Sequence, residues 1–220
     1  MMIDELQAML PRVSCAAIVD AVAKRYPHPA HVLDLVSPTP GRVLFGPAAT
    51  IRFFPTRRDV QHPVENDFAS CFYRAIGGSG KGKVLVMSNG GYPEAALGGS
   101  RKLFRLNHAG LAGVLAGGRL RDFSELAGYE FVTYCRGETV RQGAPWVMPL
   151  AANVPIEVYG VGVFPGDWIY ASAAGVVVIP APDVQAVLQD AMAGEERDAA
   201  SKARMASEDP AQIIAKGEPR

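Results

Sequence analysis

The chain is poor in the residues that mark specialised classes of protein. Its three cysteines, Cys15, Cys71 and Cys135, stand far apart in 220 residues, with no CxxC pair. An odd number at such spacing argues against a disulfide framework and fits packing thiols in a reducing compartment. A charge excess is also missing: 22 Lys+Arg balance 22 Asp+Glu, so no net charge draws the chain to nucleic acid or to an anionic membrane. No apolar run approaches the roughly 18 residues that a membrane span needs. The opening, Met1-Met-Ile-Asp-Glu-Leu6, has acid where a signal peptide has base. A soluble, cytoplasmic protein is expected, with neither membrane nor direct nucleic-acid partners.

What is present is 49% hydrophobic residues, enough for one sizeable core, with 23 Gly and 17 Pro that call for many turns and short elements. Apolar residues at Leu6, Met9, Leu10 and Val13, then at Ile18, Val19 and Val22, have helical spacing interrupted at Pro11. Two short helices are predicted, with Ser14 capping the second. Residues 26–41 are rich in proline and read as a loop, 42–54 as a strand broken at Gly46-Pro47, and 67–76 as a helix. The alternation then becomes regular. Strand 83–88, helix 100–109, strand 111–116 and short helix 122–127 form a βαβα unit. Residues 131–136, 156–163, 168–171 and 176–179 follow as short strands, which predicts an α/β/β arrangement rather than a doubly wound sheet. A long helix over 183–206 closes the chain, and the last ten residues are expected to fray.

Two apparent motifs dissolve on inspection. Gly77 to Lys83 matches GxxxxGK, but Val84 stands where Ser or Thr would hold magnesium, and the run precedes a strand instead of following one. A helix-to-strand loop is the reading. His28 and His31 lie three apart, yet Pro27 and Pro29 prevent the helix that would aim both at one metal, and His62 and His108 stand alone.

The chemistry concentrates between Asn89 and Asp122. Gly98-Gly99 frees the backbone for close approach, and Ser100 opens a helix whose first amides carry partial positive charge, reinforced by Arg101, Lys102 and Arg105. That makes an anion site. Downstream, Arg121 and Asp122 stand after a strand, where α/β ligand sites lie; an Arg fork holds a carboxylate, and an adjacent Asp holds a divalent ion. Asp122-Phe-Ser-Glu125 also reads as a helix cap, with Asp122 at the N-cap and Glu125 at N3. On the residues alone the capping role stands ahead.

Gly110-Leu-Ala-Gly-Val114, Gly118-Arg-Leu-Arg-Asp122, Cys135-Arg-Gly137, Asn153-Val-Pro155, the run from Gly162 to Trp168 and Gly175-Val-Val-Val-Ile-Pro180 together resemble the RraA-like family. That family holds 4-hydroxy-4-methyl-2-oxoglutarate aldolases, regulators of ribonuclease E activity and proteins once named dimethylmenaquinone methyltransferases. The resemblance implies a swivelling α/β/β sandwich assembled as a trimer or a pair of trimers, with active sites between subunits. It also implies cleavage of pyruvate-derived 2-oxo acids, or oxaloacetate decarboxylation, with Mg²⁺, Mn²⁺ or another divalent cation. Asp122 would hold the metal and Arg121 the substrate's 2-oxo acid end, while Gly98, Gly99, Ser100, Arg101 and Lys102 would receive its carboxylate. One such domain over 1–182 and a helical extension over 183–220 are expected.

This sequence departs from the aldolase pattern where Ser100 replaces an acid, at Gly117, and at Ala171-Ser-Ala-Ala174, changes that weaken metal binding or redirect the substrate. Beside the lyase stand two alternatives: a non-catalytic RraA-like regulator that works through its surface, and a related enzyme acting on another carboxylated substrate.

Overall fold

The computed structural model describes residues 3–217. Helix α1 (Ile3–Gln7) leads through a 3-10 turn at Leu10–Arg12, which holds Pro11, into α2 (Cys15–Ala23), where Ser14 Oγ accepts the amide of Ala17 as expected of an N-cap. The proline-rich stretch that follows is not wholly loop: β1 (His31–Val32) pairs inside it, and Val36 bridges to Cys135.

Strand β2 (Leu44–Pro55) runs unbroken through Gly46-Pro47, contrary to the sequence reading. Pro47 lacks a donor, but Ala48 N donates to Asp167 O at 2.7 Å, so pairing continues past it. The glycine is there for space, because a Cβ on Gly46 would lie 2.2 Å from Gly82 O. Helix α3 (Phe68–Ile76), capped by Asp67, leads to β3 (Val84–Met87), and the loop between them is the GxxxxGK look-alike. There Lys83 Nζ donates to Ile76 O at 2.7 Å and closes the helix end.

Next come β4 (Ala96–Gly98), α4 (Ser100–His108), β5 (Gly113–Ala116), β6 (Arg119–Leu120), α5 (Phe123–Leu126) and β7 (Val132–Cys135). Strands β2, β3, β5 and β7 pair in parallel, and all of β3, β5 and β7 is buried, which is why each reads as a continuous apolar run. The second half holds β8 (Val147–Ala152), β9 (Ile156–Val158), β10 (Val161–Val163), β11 (Trp168–Ser172) and β12 (Gly175–Ile179). The strand expected over 156–163 is in fact the hairpin β9–β10: Tyr159 at φ 49° and Gly160 at φ 82° make the two-residue turn whose positive angles suit a hairpin. Helix α6 (Val184–Met205) and helix α7 (Pro210–Gly217) close the described chain, so residues 211–217 of the segment expected to fray are helical here and residues 218–220 lie outside the description.

The main sheet runs β1-β12-β11-β2-β3-β5-β7, with β8 paired to the distal half of β2. Alternation along β2 sorts its two faces. Ala49, Ile51 and Phe53 meet Phe72, Leu103 and Leu106 of α3 and α4, and Phe45, on the same face, meets Ile18, Val22, Val187 and Leu188 of α2 and α6. Leu44 and Ala48 point the other way and pack on Val158, Val161 and Val163 of the hairpin. Helices, sheet and hairpin therefore stack as three layers, the α/β/β arrangement expected. Among the described residues no single helix is long and apolar enough to cross a membrane. The three cysteines are free and buried; burial pushes the Cys135 thiol up to about 11, which keeps it protonated and inert at neutral pH.

Candidate active site

Two very short strands set the site. Strands β4 and β6 pair in parallel, Ala96 with Arg119 and Gly98 with Leu120, and end side by side; Arg121 N donates to Gly98 O at 3.0 Å. Each runs directly into a helix, so the N-termini of α4 and α5 meet where the strands stop. A cleft of about 420 Å³ opens there, lined by Gly98, Gly99, Arg101, Lys102, Arg121 and Asp122. Ser100 lies just beneath, buried and bonded to Asp122. Every residue singled out in the sequence for substrate or metal thus gathers around one opening.

Asp122 does not cap its own helix, which corrects the capping expectation. Its backbone is left-handed, at φ 64° and ψ 46°, a conformation aspartate tolerates better than most residues, and no side-chain bond reaches α5. Instead Asp122 Oδ2 accepts both Ser100 N at 2.9 Å and Ser100 Oγ at 3.0 Å. The carboxylate therefore caps α4, whose own N-cap position is Gly99 and has no side chain to offer. The first amide of α5, Phe123 N, goes to Glu138 Oε1 at 2.8 Å.

Space as well as bonding holds this arrangement. A Cβ on Gly99 would lie 2.6 Å from Asp122 Oδ2 and 3.1 Å from Arg121 Cβ. Gly99→Ala must displace the carboxylate from Ser100. We expect a loss of about 1–3 kcal/mol, as for other overpacked sites, read as a lower melting temperature, with faster hydrogen exchange at the Ser100 amide than in β3.

The cleft is electropositive. Arg101, Lys102 and Arg121 face a single carboxylate, and among the described residues Arg121 makes no ion pair. The amides of Arg101 and Lys102 find no acceptor there either. Lys102 stays open to solvent, but the concave wall around it, with the Phe68 ring 5.4 Å from Nζ, strips water from the ammonium and lowers its pKa; Asp67 opposes the shift, and Arg101 and Arg105 add to it. Unpaired donors and a desolvated cation suit a small carboxylate ligand.

The divalent-metal expectation can be weighed on the donors present. Among the described residues no group of three or more His, Cys, Asp and Glu comes together, so no cage for zinc or calcium forms. Asp122 Oδ1 receives no hydrogen bond among the described residues, and it is a hard oxygen donor on a residue that lines the cleft. One carboxylate oxygen, completed by water and substrate oxygens, is a set Mg²⁺ accepts, so the residues fit that ion.

The sequence did not point to the opposite wall, Gln142, Gly143 and Ala144. Gly143 is packed against β4, where its Cβ would lie 1.9 Å from Ala96 O. Its Gly-Ala-Pro context marks a turn but carries no sign of the cleft it lines. Gly117 and Ala171 to Ala174 do not line the cleft within this chain.

A three-layer α/β/β protein with an anion-receptive cleft at twin helix N-termini is the class these features define. The chain belongs to the RraA-like family: the family model described as Aldolase/RraA matches residues 15–178. A protein of Burkholderia mallei, provisionally named a 4-hydroxy-4-methyl-2-oxoglutarate aldolase, is 34% identical over 139 residues, 60% of this chain and 73% of its own. The structure of Streptomyces coelicolor RraAS2, described as an unusual member of the RNase ES inhibitor RraA family, matches with a TM-score of 0.78 at 26% identity, over 91% of this chain and 98% of that one. An uncharacterized protein of Pseudomonas syringae shares the fold with a TM-score of 0.77 at 21% identity, over 98% of this chain and 95% of its own, a span that takes in α6.

Proposed function

We propose that this protein is a Mg²⁺-dependent carbon–carbon lyase for a small 2-oxo acid, releasing pyruvate from a 4-hydroxy-4-methyl-2-oxoglutarate-type substrate, from oxaloacetate, or from both. The observation that carries the reading is the junction of an unpaired Arg121, the free oxygen of Asp122 and the open amides of α4 around one cleft. Similarity to relatives named as aldolases supports it. A homo-oligomer, trimer or pair of trimers, with sites between subunits, is part of the same reading.

The amides of Arg101 and Lys102 receive the substrate carboxylate, helped by the positive end of α4 and the Lys102 ammonium. Asp122 Oδ1 would be the contact for the cation, since Ser100 keeps the other oxygen occupied. When bound, the cation polarises the substrate's ketone. Breaking the C3–C4 bond leaves its electron pair on the pyruvate fragment as an enolate, while the other fragment departs as CO₂ or, once its C4 hydroxyl proton goes to solvent, as a second pyruvate. Arg121 stabilises the enolate charge until a solvent proton completes the methyl group. Release of pyruvate from each substrate, with Mg²⁺ or with EDTA, tests the proposal. Metal-dependent turnover supports it. No turnover of either substrate, with no thermal shift from Mg²⁺ or pyruvate, overturns it in favour of the regulator reading, which the similarity to an inhibitor-family member favours.

Lys102 adds a pH dependence. Its lowered pKa means that the ammonium loses its proton at a lower pH than the ordinary lysine value of about 10.4. The share of substrate attraction that Lys102 supplies is complete below that lowered pKa and lost above it, while the amides of α4 and Arg121 keep theirs. The expected result is a KM that climbs on the alkaline side, and a Lys102→Arg variant in which the climb disappears.

A further inference from the structure

Asp122 faces two competing demands. It stands immediately before α5 with Glu125 three residues on, the pattern that locally favours capping α5, yet its carboxylate is bonded to Ser100 on α4. An N-cap that bonds the second or third amide of its helix needs an extended backbone, whereas Asp122 is left-handed at φ 64°, and the amide that follows it, Phe123 N, is held by Glu138 Oε1. The backbone of Glu138 is fixed for this task. Leu120 N donates to Gly137 O at 3.0 Å, Thr139 N donates to Leu120 O at 2.9 Å, and Arg119 Nη1 donates to Glu138 O at 3.2 Å. Arg119 is in turn anchored through Nε to Glu94 Oε2, and Glu94 Oε1 takes Arg136 Nε at 2.7 Å. The two guanidinium groups hold the Glu94 carboxyl below the usual carboxylate range.

We propose that Glu138 is the positioning residue of this site: by holding Phe123 N it fixes the left-handed backbone of Asp122 and so keeps the carboxylate on Ser100, with one oxygen left for the cleft. The functional half of the inference rests on the lyase reading, because it takes Asp122 as the cation contact. The structural half does not. With Glu138 removed, Phe123 N loses its acceptor and the peptide after Asp122 is free to turn; an extended Asp122 then reaches the second and third amides of α5 as an ordinary N-cap and releases Ser100.

The test compares Glu138→Ala with Glu138→Gln, whose amide oxygen still accepts a backbone N–H. Hydrogen exchange is followed at the Ser100 amide, with Leu85 and Val114 in the core strands as internal references. In Glu138→Ala, Ser100 exchange should accelerate about tenfold relative to the references, and Mg²⁺ affinity, read by thermal shift, should fall about 10-fold or more, the usual effect of losing a group that orients a metal ligand. Glu138→Gln should restore both to near wild type. Unchanged Ser100 exchange in Glu138→Ala, or an equal rise at Leu85 and Val114, overturns the proposal. If Ser100 responds while wild type shows no Mg²⁺ shift at all, the positioning role stands and the lyase reading is what fails.

Discussion

Mg²⁺-dependent pyruvate release is expected to fall by about 10²–10³-fold in Asp122→Asn, the scale on which removal of a charge-stabilising group acts, while the melting temperature barely moves. The separation follows from the two oxygens. Asparagine keeps an oxygen that can accept Ser100 N and Oγ, so the cap on α4 survives. It turns an NH₂ toward the cleft, where a cation finds two hydrogens instead of a lone pair. Asp122→Ala removes both functions at once, and loss of the cap costs about 1 kcal/mol in addition to the activity. Alanine alone therefore cannot tell a catalytic aspartate from a structural one, whereas the pair can. Equal activity of wild type and Asp122→Asn would end the role of Asp122 as cation contact; equal melting of Asn and Ala variants would end its role as the cap of α4.

That double role explains what was legible in the sequence and what was not. The runs that became β3, β5 and β7 are continuous and apolar because parallel strands are buried on both faces, and α4 carries a clear apolar stripe at Leu103 and Leu106, so these elements showed themselves. Strands β4 and β6, with three and two residues, have no periodicity to read, and neither was expected. They are nevertheless what brings Gly99 beside Arg121. Strand β8 escaped because Pro149 sits inside it, at the site of a register shift against β2.

The candidate residues themselves were found, since glycines before a basic helix and an Arg-Asp pair after a strand are local signals. Their bonding was not. The pattern reads Asp122 as the cap of the helix it precedes, whereas its partner Ser100 lies 22 positions upstream and the first amide of α5 is taken by Glu138, 16 positions on from Asp122. Local propensity named the correct kind of bond and the wrong helix. Only the parallel pairing of β4 with β6, a tertiary fact, decides which N-terminus the carboxylate meets.

Arg121 should show the second large effect, and a cleaner one. Its guanidinium has no ion-pair partner among the described residues, so truncation breaks no structural pair, and Arg121→Ala should melt close to wild type. We expect kcat/KM for oxaloacetate to drop by about 10³-fold, equivalent to about 4 kcal/mol of lost transition-state stabilisation. The loss should divide between KM and kcat, because the side chain attracts the anionic substrate into the cleft and then faces a charge that grows as the bond breaks. Arg121→Lys restores a charge but not the planar fork, so it should recover part of KM and little of kcat. A Lys variant that recovers kcat fully would show that charge alone suffices and remove the bidentate geometry from the mechanism. An Ala variant with unchanged kcat would place Arg121 outside the chemistry and leave it only the task of drawing anions into the cleft.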